Sequence, residues 1–311
     1  MTLCGGNGTS VGNIPSSGRV DELVRASSQT QDIAQYKTEV NALLADSLRE
    51  ANSRDAETIN RHLDTVRQAL EGLVNESMDL RFGGSISKHT YVDGISDVDV
   101  LAVLSKETAE NASPQDLISD FAAALRSRLP NTDIDIGRIS VKVHFSDGTD
   151  IQVLPSFPVR NGYKIPRYQG DSWSGVIRPR EFARSLTEVN RSNAGNVVKA
   201  IKLYKIANDK LPEHGRLQGY HIEAIAIRAF QNYTGPLELR EMFMHLCRAA
   251  SEQVKSPMVE TTGQSAYIDN DLGAAGSTGR LKTSDTINRM VQRLEIANSQ
   301  CQLDAWNEVF K

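Results

Sequence analysis

Residues 81–104 read RFGGSISKHTYVDGISDVDVLAVL and place a turn of small residues ahead of two aspartates. The turn is Gly84-Ser85, and eleven residues separate it from Asp97 and Asp99, which open an apolar run. Glycine lets backbone N–H groups approach an anion closely, and the N-terminus of a following helix favours negative charge. Ser85 adds a hydroxyl. The turn is typical of a phosphate site, although a plain turn between two elements can have the same pattern.

The two aspartates are two residues apart, so on a strand both side chains leave the same face. Val98, Val100 and Ala102 then fill the opposite face. Carboxylates this close repel each other unless a cation lies between them, and Mg²⁺ characteristically binds such carboxylates together with substrate phosphates. The alternative is a polar strand end beside a loop. The pattern predicts that Asp97 and Asp99 are metal ligands.

A third carboxylate, Asp150, follows a tight turn in residues 139–157, ISVKVHFSDGTDIQVLPSF. Two alternating runs joined by Ser-Asp-Gly-Thr predict a hairpin, with Asp147 assigned to the turn. If the hairpin lies beside the strand of Asp97 and Asp99, Asp150 completes a triad that two Mg²⁺ ions can share. Such a site fits in-line attack of a hydroxyl on an α-phosphate, with pyrophosphate as the leaving group.

A second Asp-x-Asp pair, Asp133 and Asp135, serves as an internal comparison. No Gly-Ser turn precedes it at a similar distance, so we interpret it as a solvated strand or loop edge. The spacing to the turn, rather than the dipeptide pattern, selects Asp97 and Asp99.

Composition restricts the class of protein. The net charge is −4, and Lys and Arg are spread along the chain, which argues against a protein that mainly holds duplex nucleic acid. The three cysteines form no CxxC pair, so neither a disulfide framework nor a zinc site is indicated. The first residues lack the pattern of a signal peptide, and no apolar run approaches the length of a membrane span. We expect a cytoplasmic protein with no membrane partner.

The order of predicted elements indicates an α+β fold. Residues 1–18 are rich in Gly, Ser and Asn, which predicts an unstructured start. Residues 19–170 combine helices with short strands and predict a catalytic lobe with a small mixed sheet. Residues 171–311 are almost wholly helical and predict a C-terminal lobe. A cleft between the lobes is the expected place for the active site.

Gly84-Ser85, Asp97, Asp99 and Asp150 together resemble the signature of the polymerase-β-type nucleotidyltransferases. The segments DGTDIQVLPSF, DSWSGVIRPREF, VVKAIKLYK and QGYHIEAIA narrow the likeness to the cGAS/DncV-like nucleotidyltransferases (CD-NTases) of bacteria, which serve the CBASS antiphage systems. The likeness extends from about residue 30 to the end. It implies a polymerase-β-like catalytic lobe and a helical lobe with the active site between them.

The resemblance also assigns roles to single residues. Gly84 and Ser85 would hold the donor triphosphate, and Asp97, Asp99 and Asp150 would bind two Mg²⁺ ions, with Mn²⁺ as a possible substitute. Three further residues are implied in the helical lobe, with Lys199 ranked second among the lysines. Lys202 would reach the triphosphate, Tyr220 would stack on a nucleobase, and Gly219 stands where relatives often carry a serine that contacts phosphate. The alternatives are a solvated helix face for the lysines and ordinary packing for Tyr220.

The implied activity is synthesis of a cyclic di- or trinucleotide second messenger from NTPs. The implied partners are a downstream effector that senses the product and CBASS accessory proteins. Activation by DNA is not expected, because no Cys/His insertion resembles the zinc-bearing element of the animal enzyme. Two alternatives stay open: transfer of a nucleotide to a protein, RNA end or small molecule, and a non-catalytic nucleotide-binding regulator.

Overall fold

The computed structural model describes residues 17–53, 56–71, 73, 78–168, 170–259, 269 and 272–310. The helices are α1 Ser17–Ala51, α2 Ala56–Leu70, α3 Gly84–Ser87, α4 Lys106–Glu110, α5 Pro114–Arg128, α6 Pro179–Ser192, α7 Asn196–Asp209, α8 Gly219–Phe230, α9 Leu239–Gln253, α10 Thr278–Gln300 and α11 Asp304–Phe310. The strands are β1 Asp79–Phe82, β2 Val98–Val103, β3 Asp133–Ile136, β4 Val141–His144, β5 Asp150–Val159 and β6 Gly162–Lys164. The α+β class predicted from the sequence is confirmed.

The strands form one mixed sheet in the order β1-β2-β5-β4-β3, and β6 pairs with the far end of β5. Strands β2 and β5 run parallel, with Val98 opposite Ile151, and the other neighbouring pairs are antiparallel. The parallel pairing brings the first residues of β2 and β5 to the same end of the sheet. Asp97 and Asp150 lie at this end.

A first core forms where α2 and α5 cover one face of the sheet. Its buried side chains include Leu63, Val66, Val100, Phe121 and Val153. Val98, Val100 and Ala102 are buried, as the alternation in the sequence predicts, so Asp97 and Asp99 leave the strand on the opposite face. Packing of the apolar face therefore determines the direction of both carboxylates.

A second core is formed by the helices after residue 179 together with α1. The stripe Val40, Leu43, Leu44 and Leu48 of α1 is buried in it. Tyr36 of α1 donates a hydrogen bond to Asn298 of α10 at 2.8 Å, and the indole of Trp306 in α11 donates one to the Tyr36 hydroxyl at 3.0 Å. Although α1 comes first in the chain, it packs with the C-terminal helices.

Local sequence signals explain several element boundaries. The Ser113 side chain caps α5 by accepting from the Asp116 N–H at 3.1 Å, with Pro114 in the first turn, as the sequence predicts. The hairpin β4–β5 is also confirmed, with His144 opposite Asp150. The predicted unstructured start, residues 1–18, lies outside the described residues except for positions 17 and 18, where α1 begins. The predicted division near residue 170 stays a prediction.

Among the described helices, none combines the length and the apolar character needed to cross a membrane.

Candidate active site

The Gly84-Ser85 turn lies directly against Asp99. Gly84 has a φ of +47°, and a Cβ atom at this position would be 1.6 Å from Oδ2 of Asp99. The Gly83 N–H donates to the Asp99 carbonyl at 2.8 Å, which fixes the turn to β2. Both the left-handed backbone and the close approach require glycine here. The eleven-residue spacing in the sequence thus reflects a direct contact between the turn and the strand.

Ser85 is buried and lines a cavity of about 630 Å³. We call this the aspartate cavity; its lining includes Gly84, Ser85, Asp97, Asp99, Lys205 and Tyr220. Ser85 Oγ has no hydrogen-bond partner among the described residues. A buried hydroxyl without a partner is unfavourable, and an oxygen of a bound anion would satisfy it. The turn therefore suits a phosphate group.

Asp97 and Asp150 meet at the edge of the sheet, with the ammonium of Lys142 beside both. Lys142 Nζ is 2.8 Å from Oδ2 of Asp97 and 3.8 Å from Oδ2 of Asp150. Partial burial lowers the pKa of Lys142, but its hydrogen bond to Asp97 and the charges of Asp97, Asp150 and Asp135 outweigh this, so the pKa is raised. Asp150 borders a neighbouring cavity of about 940 Å³ that Asp97 also lines. A cation already accompanies these two carboxylates.

His144 connects Asp150 to the outer edge of the sheet. Its Nδ1 is 2.8 Å from Oδ1 of Asp150, and its Nε2 is 3.2 Å from Oδ2 of Asp135. Partial burial lowers the pKa of His144, but its contacts with Asp150 and Asp135 outweigh this and raise it. Asp133 and Asp135 are both exposed on edge strand β3, as the sequence interpretation expects. The link from Asp135 to Asp150 is a feature that the sequence analysis missed.

Asp99 is the most deeply placed carboxylate of the three. Burial raises its pKa to about 6; the charge of Lys88 opposes this shift, and the charges of Asp97 and Glu223 add to it. A carboxylate with a raised pKa is poorly stabilised as an anion by its surroundings. A cation in the aspartate cavity would stabilise it, so the donor set and its electrostatics fit a divalent metal ion.

The described residues contain no ready-made cluster of three or more His, Cys, Asp or Glu side chains around one point.

A buried ion cluster beneath the cavity joins the turn to the helical lobe. Glu223 of α8 forms ion pairs with Lys88, which follows α3, and with Lys205 of α7, the latter at 3.0 Å. Lys205 also donates to the Thr90 carbonyl at 3.0 Å, and the Thr90 hydroxyl donates to Glu223. Burial would raise the pKa of Glu223, but the charges of Lys88 and Lys205 outweigh this and lower it. Lys88 and Lys205 thus lie beneath the turn between Glu223 and Asp99, whose charges act on both lysines.

The structure does not place Lys202 and Lys199 in the aspartate cavity. Both line a separate cavity of about 490 Å³ with Asn52 and His89, where Lys202 donates to the Asn52 side chain. Lys199 donates to the Asn196 side chain at 2.9 Å. Lys205, one turn further along α7, lines the aspartate cavity instead. Lys205, rather than the predicted Lys202 or Lys199, therefore lies at the aspartate cavity, and which lysine binds a triphosphate stays a prediction.

Gly219 and Tyr220 both line the aspartate cavity at the start of α8. The Tyr220 ring packs on Phe182 with centroids 4.7 Å apart, and Lys88 Nζ lies 5.0 Å from the Phe182 centroid and 5.3 Å from that of Tyr220. A Cβ at Gly219 would be 3.4 Å from Lys205 Nζ, so this position faces the same lysine. The predicted location of both residues at the site agrees with the structure, whereas their roles stay predictions.

The fold and the cavity define a class of enzyme. Asp99 lies on β2 and Asp97 directly before it, beside a Gly-Ser turn and in a cleft between a mixed sheet and helices. This is the arrangement of polymerase-β-type nucleotidyltransferases, and the chain is a nucleotidyltransferase of this class. Residues 37–190 match the model of the Second Messenger Oligonucleotide or Dinucleotide Synthetase (SMODS) domain. Residues 37–190 therefore form a SMODS domain, and the resemblance to the CD-NTases seen in the sequence is confirmed.

Solved structures of CD-NTases share the fold at low sequence identity. A Bradyrhizobium diazoefficiens CdnG in complex with GTP has a TM-score of 0.67 and 16% identity, covering 87% of this chain and 95% of that one. An E. coli CdnC in complex with HORMA-deltaN has a TM-score of 0.60 and 16% identity, with 87% and 96% covered. The Vibrio cholerae DncV cyclic AMP-GMP synthase, with a linear intermediate, has a TM-score of 0.62 and 11% identity, with 93% and 90% covered. No curated protein matches the sequence.

Proposed function

We propose that this enzyme joins NTPs into a cyclic di- or trinucleotide second messenger at the aspartate cavity. The observation that carries the proposal is Ser85, which lines the same cavity as Asp97 and Asp99 and whose buried hydroxyl has no partner in the part of the chain that the structure describes. A phosphate-binding turn and metal-binding carboxylates in one cavity are what transfer of a nucleotidyl group requires. Membership of the SMODS family supports a cyclic oligonucleotide as the product.

The donor triphosphate would lie between the turn and α7. Backbone N–H groups after Gly84 and the Ser85 hydroxyl would bind its oxygens, and Lys205 would neutralise part of its charge. We assign this role to Lys205 rather than to Lys202, because Lys205 lines the cavity and lies beside Lys88 at Glu223. A serine at position 219 would place a hydroxyl close to Lys205, because a Cβ there would be 3.4 Å from Lys205 Nζ. Gly219 cannot supply this hydroxyl.

Asp97, Asp99 and Asp150 would hold two Mg²⁺ ions, or Mn²⁺ in their place, at the start of β2 and β5. Bound there, the ions would activate the attacking hydroxyl and stabilise the departing pyrophosphate. The chain itself keeps Asp99 aligned through its contact with Gly84 and places Asp150 next to Asp97 through the parallel pairing of the strands. The ribose hydroxyl oxygen would form the new bond to the α-phosphorus. The bond from the α-phosphorus to the oxygen that bridges to the β-phosphate would break, which releases pyrophosphate.

Closing a ring at a single site requires that the linear intermediate bind again with its triphosphate at the Gly84-Ser85 turn. The cavity of about 940 Å³ that shares Asp97 offers room for the acceptor nucleotide on the other side of the carboxylates. Tyr220, packed on Phe182, would stack on the donor base. Each bond would then form by the same chemistry in the same place.

The biological setting follows from the family as a further proposal. The product would signal to an effector in antiphage defence of the CBASS type, and accessory proteins would act on the enzyme. The CdnC structure in complex with HORMA-deltaN supports an accessory protein of that kind. We further propose that residues 19–170 and 171–311 form the two lobes, with α1 packed on the second, and that the enzyme works in the cytoplasm without DNA as an activator.

The test is to incubate the protein with the four NTPs and Mg²⁺ and identify the products by mass spectrometry. We expect a phosphatase-resistant cyclic product and a transient linear triphosphate. The double variant Asp97→Asn/Asp99→Asn should give no product, whereas Asp133→Asn, on the exposed edge strand, should match the wild type. A preparation that yields only phosphatase-sensitive chains or a nucleotidylated acceptor would contradict the cyclic product and favour transfer to another molecule. Absence of any nucleotide-consuming activity would favour a nucleotide-binding regulator.

A further inference from the structure

The lysine within the proposed metal site suggests how the carboxylates are held before a metal arrives. Lys142 projects from the middle of β4, and its ammonium lies 2.8 Å from Asp97 and 3.8 Å from Asp150. Its side chain is 32% exposed, similar to those of the two aspartates, so all three groups lie at the boundary of the solvent. One positive charge thus contacts two carboxylates that would otherwise repel each other.

A divalent ion bound by Asp97 and Asp150 would compete with this ammonium, which lies at the Oδ2 atom of each carboxylate. Mg²⁺ and Mn²⁺ need carboxylate oxygens at bonding distance, and a lysine within 4 Å of the same oxygens would repel the ion. Withdrawal of the ammonium would therefore favour binding of a metal ion. Lysine can withdraw, because its four-carbon side chain is flexible and its charge is a compact point.

A second carboxylate is placed to receive the lysine. Asp135 of β3 is the direct cross-strand partner of Lys142, and residues opposite each other in an antiparallel pair have Cβ atoms about 5 Å apart. The Asp135 side chain is 72% exposed and contacts His144 Nε2 at 3.2 Å. Rotation of the Lys142 side chain about its own bonds is enough to change partner, with no movement of the backbone.

We propose that Lys142 is an internal counter-cation of the metal site: its ammonium pairs with Asp97 and Asp150 in the metal-free enzyme and moves to Asp135 when a divalent cation binds. This inference rests on the proposed function, since it takes Asp97 and Asp150 as metal ligands. Metal binding is then an exchange of one cation for another, and Asp135 contributes to it without touching the metal. Asp135, from the Asp-x-Asp pair interpreted above as a solvated edge, would then be a positioning residue of the metal site.

The experiment measures the dissociation constant of Mn²⁺ without nucleotide, from the electron paramagnetic resonance signal of the free ion. Lys142→Met should bind Mn²⁺ at least about fivefold more tightly than the wild type, since a competing ion pair is removed. Lys142→Gln should change affinity in the same direction and serves as a second variant if the first folds poorly. In the metal-free state, Lys142→Met should also unfold at a lower temperature, and saturating Mn²⁺ should remove most of the difference.

A double-mutant cycle distinguishes movement of the Lys142 ammonium to Asp135 from a general effect of the Asp135 charge on metal affinity. Asp135→Asn should weaken Mn²⁺ binding in the wild type but have no effect in the Lys142→Met background, because no ammonium is left to be received. Asp133→Asn removes the same charge from the same face of β3 and should leave affinity unchanged in both backgrounds. An equal effect of Asp135→Asn in both backgrounds would overturn the exchange, as would an unchanged or weaker affinity in both Lys142 variants.

The proposed metal site has its own control. Asp97→Asn should abolish tight Mn²⁺ binding, because it removes a proposed ligand. If wild-type binding exists and depends on Asp97 but not on Lys142, the counter-cation proposal fails and the metal assignment stands. If no Asp97-dependent binding occurs in the wild type, the metal assignment itself fails, and the counter-cation proposal fails with it.

Discussion

Replacing Asp99 with asparagine should stabilise the metal-free protein while it abolishes activity. Asp99 is partly buried beside Gly84, and the loss of hydration raises the pKa of its carboxyl from 3.8 to about 6. The folded protein therefore holds this group as an anion at neutral pH only at a loss of stability. Asparagine has nearly the same shape and carries no charge, so it should remove that loss.

The size of the effect follows from the shift in pKa. A difference of about two pKa units corresponds to about 3 kcal/mol at 1.36 kcal/mol per unit. The amide still loses part of its hydration, and the attraction between Asp99 and Lys88 disappears, so we expect a net gain in the free energy of unfolding of about 1–3 kcal/mol. In a chain of this length such a gain raises the melting temperature by a few degrees.

The dependence on pH gives the prediction its sharpest form. Between pH 3.8 and about pH 6 the folded protein holds a proton on Asp99 that the unfolded chain has lost, so wild-type stability falls as the pH rises through this range. The advantage of Asp99→Asn should be full above about pH 6, shrink below it and vanish below pH 3.8. Urea and thermal unfolding in EDTA at pH 8 and at pH 4.5 would measure it.

Asp97→Asn is the matched control. Asp97 pairs with Lys142 at 2.8 Å, so its replacement removes a favourable contact and should leave stability unchanged or lower it by up to about 1 kcal/mol. An Asp99→Asn variant that is no more stable than the wild type at pH 8 would refute the reasoning. A gain of equal size at both pH values would also refute it, because the carboxyl would then not be the cause.

Three further predictions test the turn and the helical lobe. Gly84→Ala should abolish activity and lower the free energy of unfolding, measured in urea, by more than the ~1–2 kcal/mol that a left-handed backbone costs a residue with a side chain. Gly94→Ala is the control: its φ is +71° but the space around it is open, so it should lose only that ~1–2 kcal/mol. Lys205→Met should raise KM for NTP, and Lys202→Met should not; the opposite order in steady-state kinetics would restore the assignment made from the sequence. Tyr220→Ala should weaken nucleotide binding in calorimetry by ~1–3 kcal/mol if its ring stacks on a base, and unchanged affinity would leave it a packing residue.

The carboxylates were predictable because their placement depends on local rules. Strand alternation sends Asp97 and Asp99 to one face, and a tight Asp-Gly turn returns the chain so that Asp150 begins the neighbouring strand. The same hairpin also contains the signal for His144, which pairs with Asp150 across the turn. Reading the register of the hairpin as well as its existence would have placed His144, and by the same alternation Lys142, on the side of the carboxylates.

The lysine of α7 that lines the aspartate cavity could not be chosen from the sequence. Lys199, Lys202 and Lys205 recur every three residues on α7, so each is a plausible member of one helical face. Only the packing of α7 against α8 and the Lys88 segment buries Lys205 beside Glu223 and leaves the other two in a separate cavity. Glu223 carries no signal in the sequence, since a single glutamate on a helix is usually solvated.

The position of α1 determines how the molecule can be divided. This helix precedes the sheet in the chain, yet it packs against α7, α9 and α11. Its Tyr36 hydroxyl is hydrogen-bonded to residues of α10 and α11, more than 250 residues later. A fragment cut near residue 170 would carry α1 away from its partners and leave a gap in the remaining helices. Chimaeras between relatives should therefore exchange α1 together with α6 to α11.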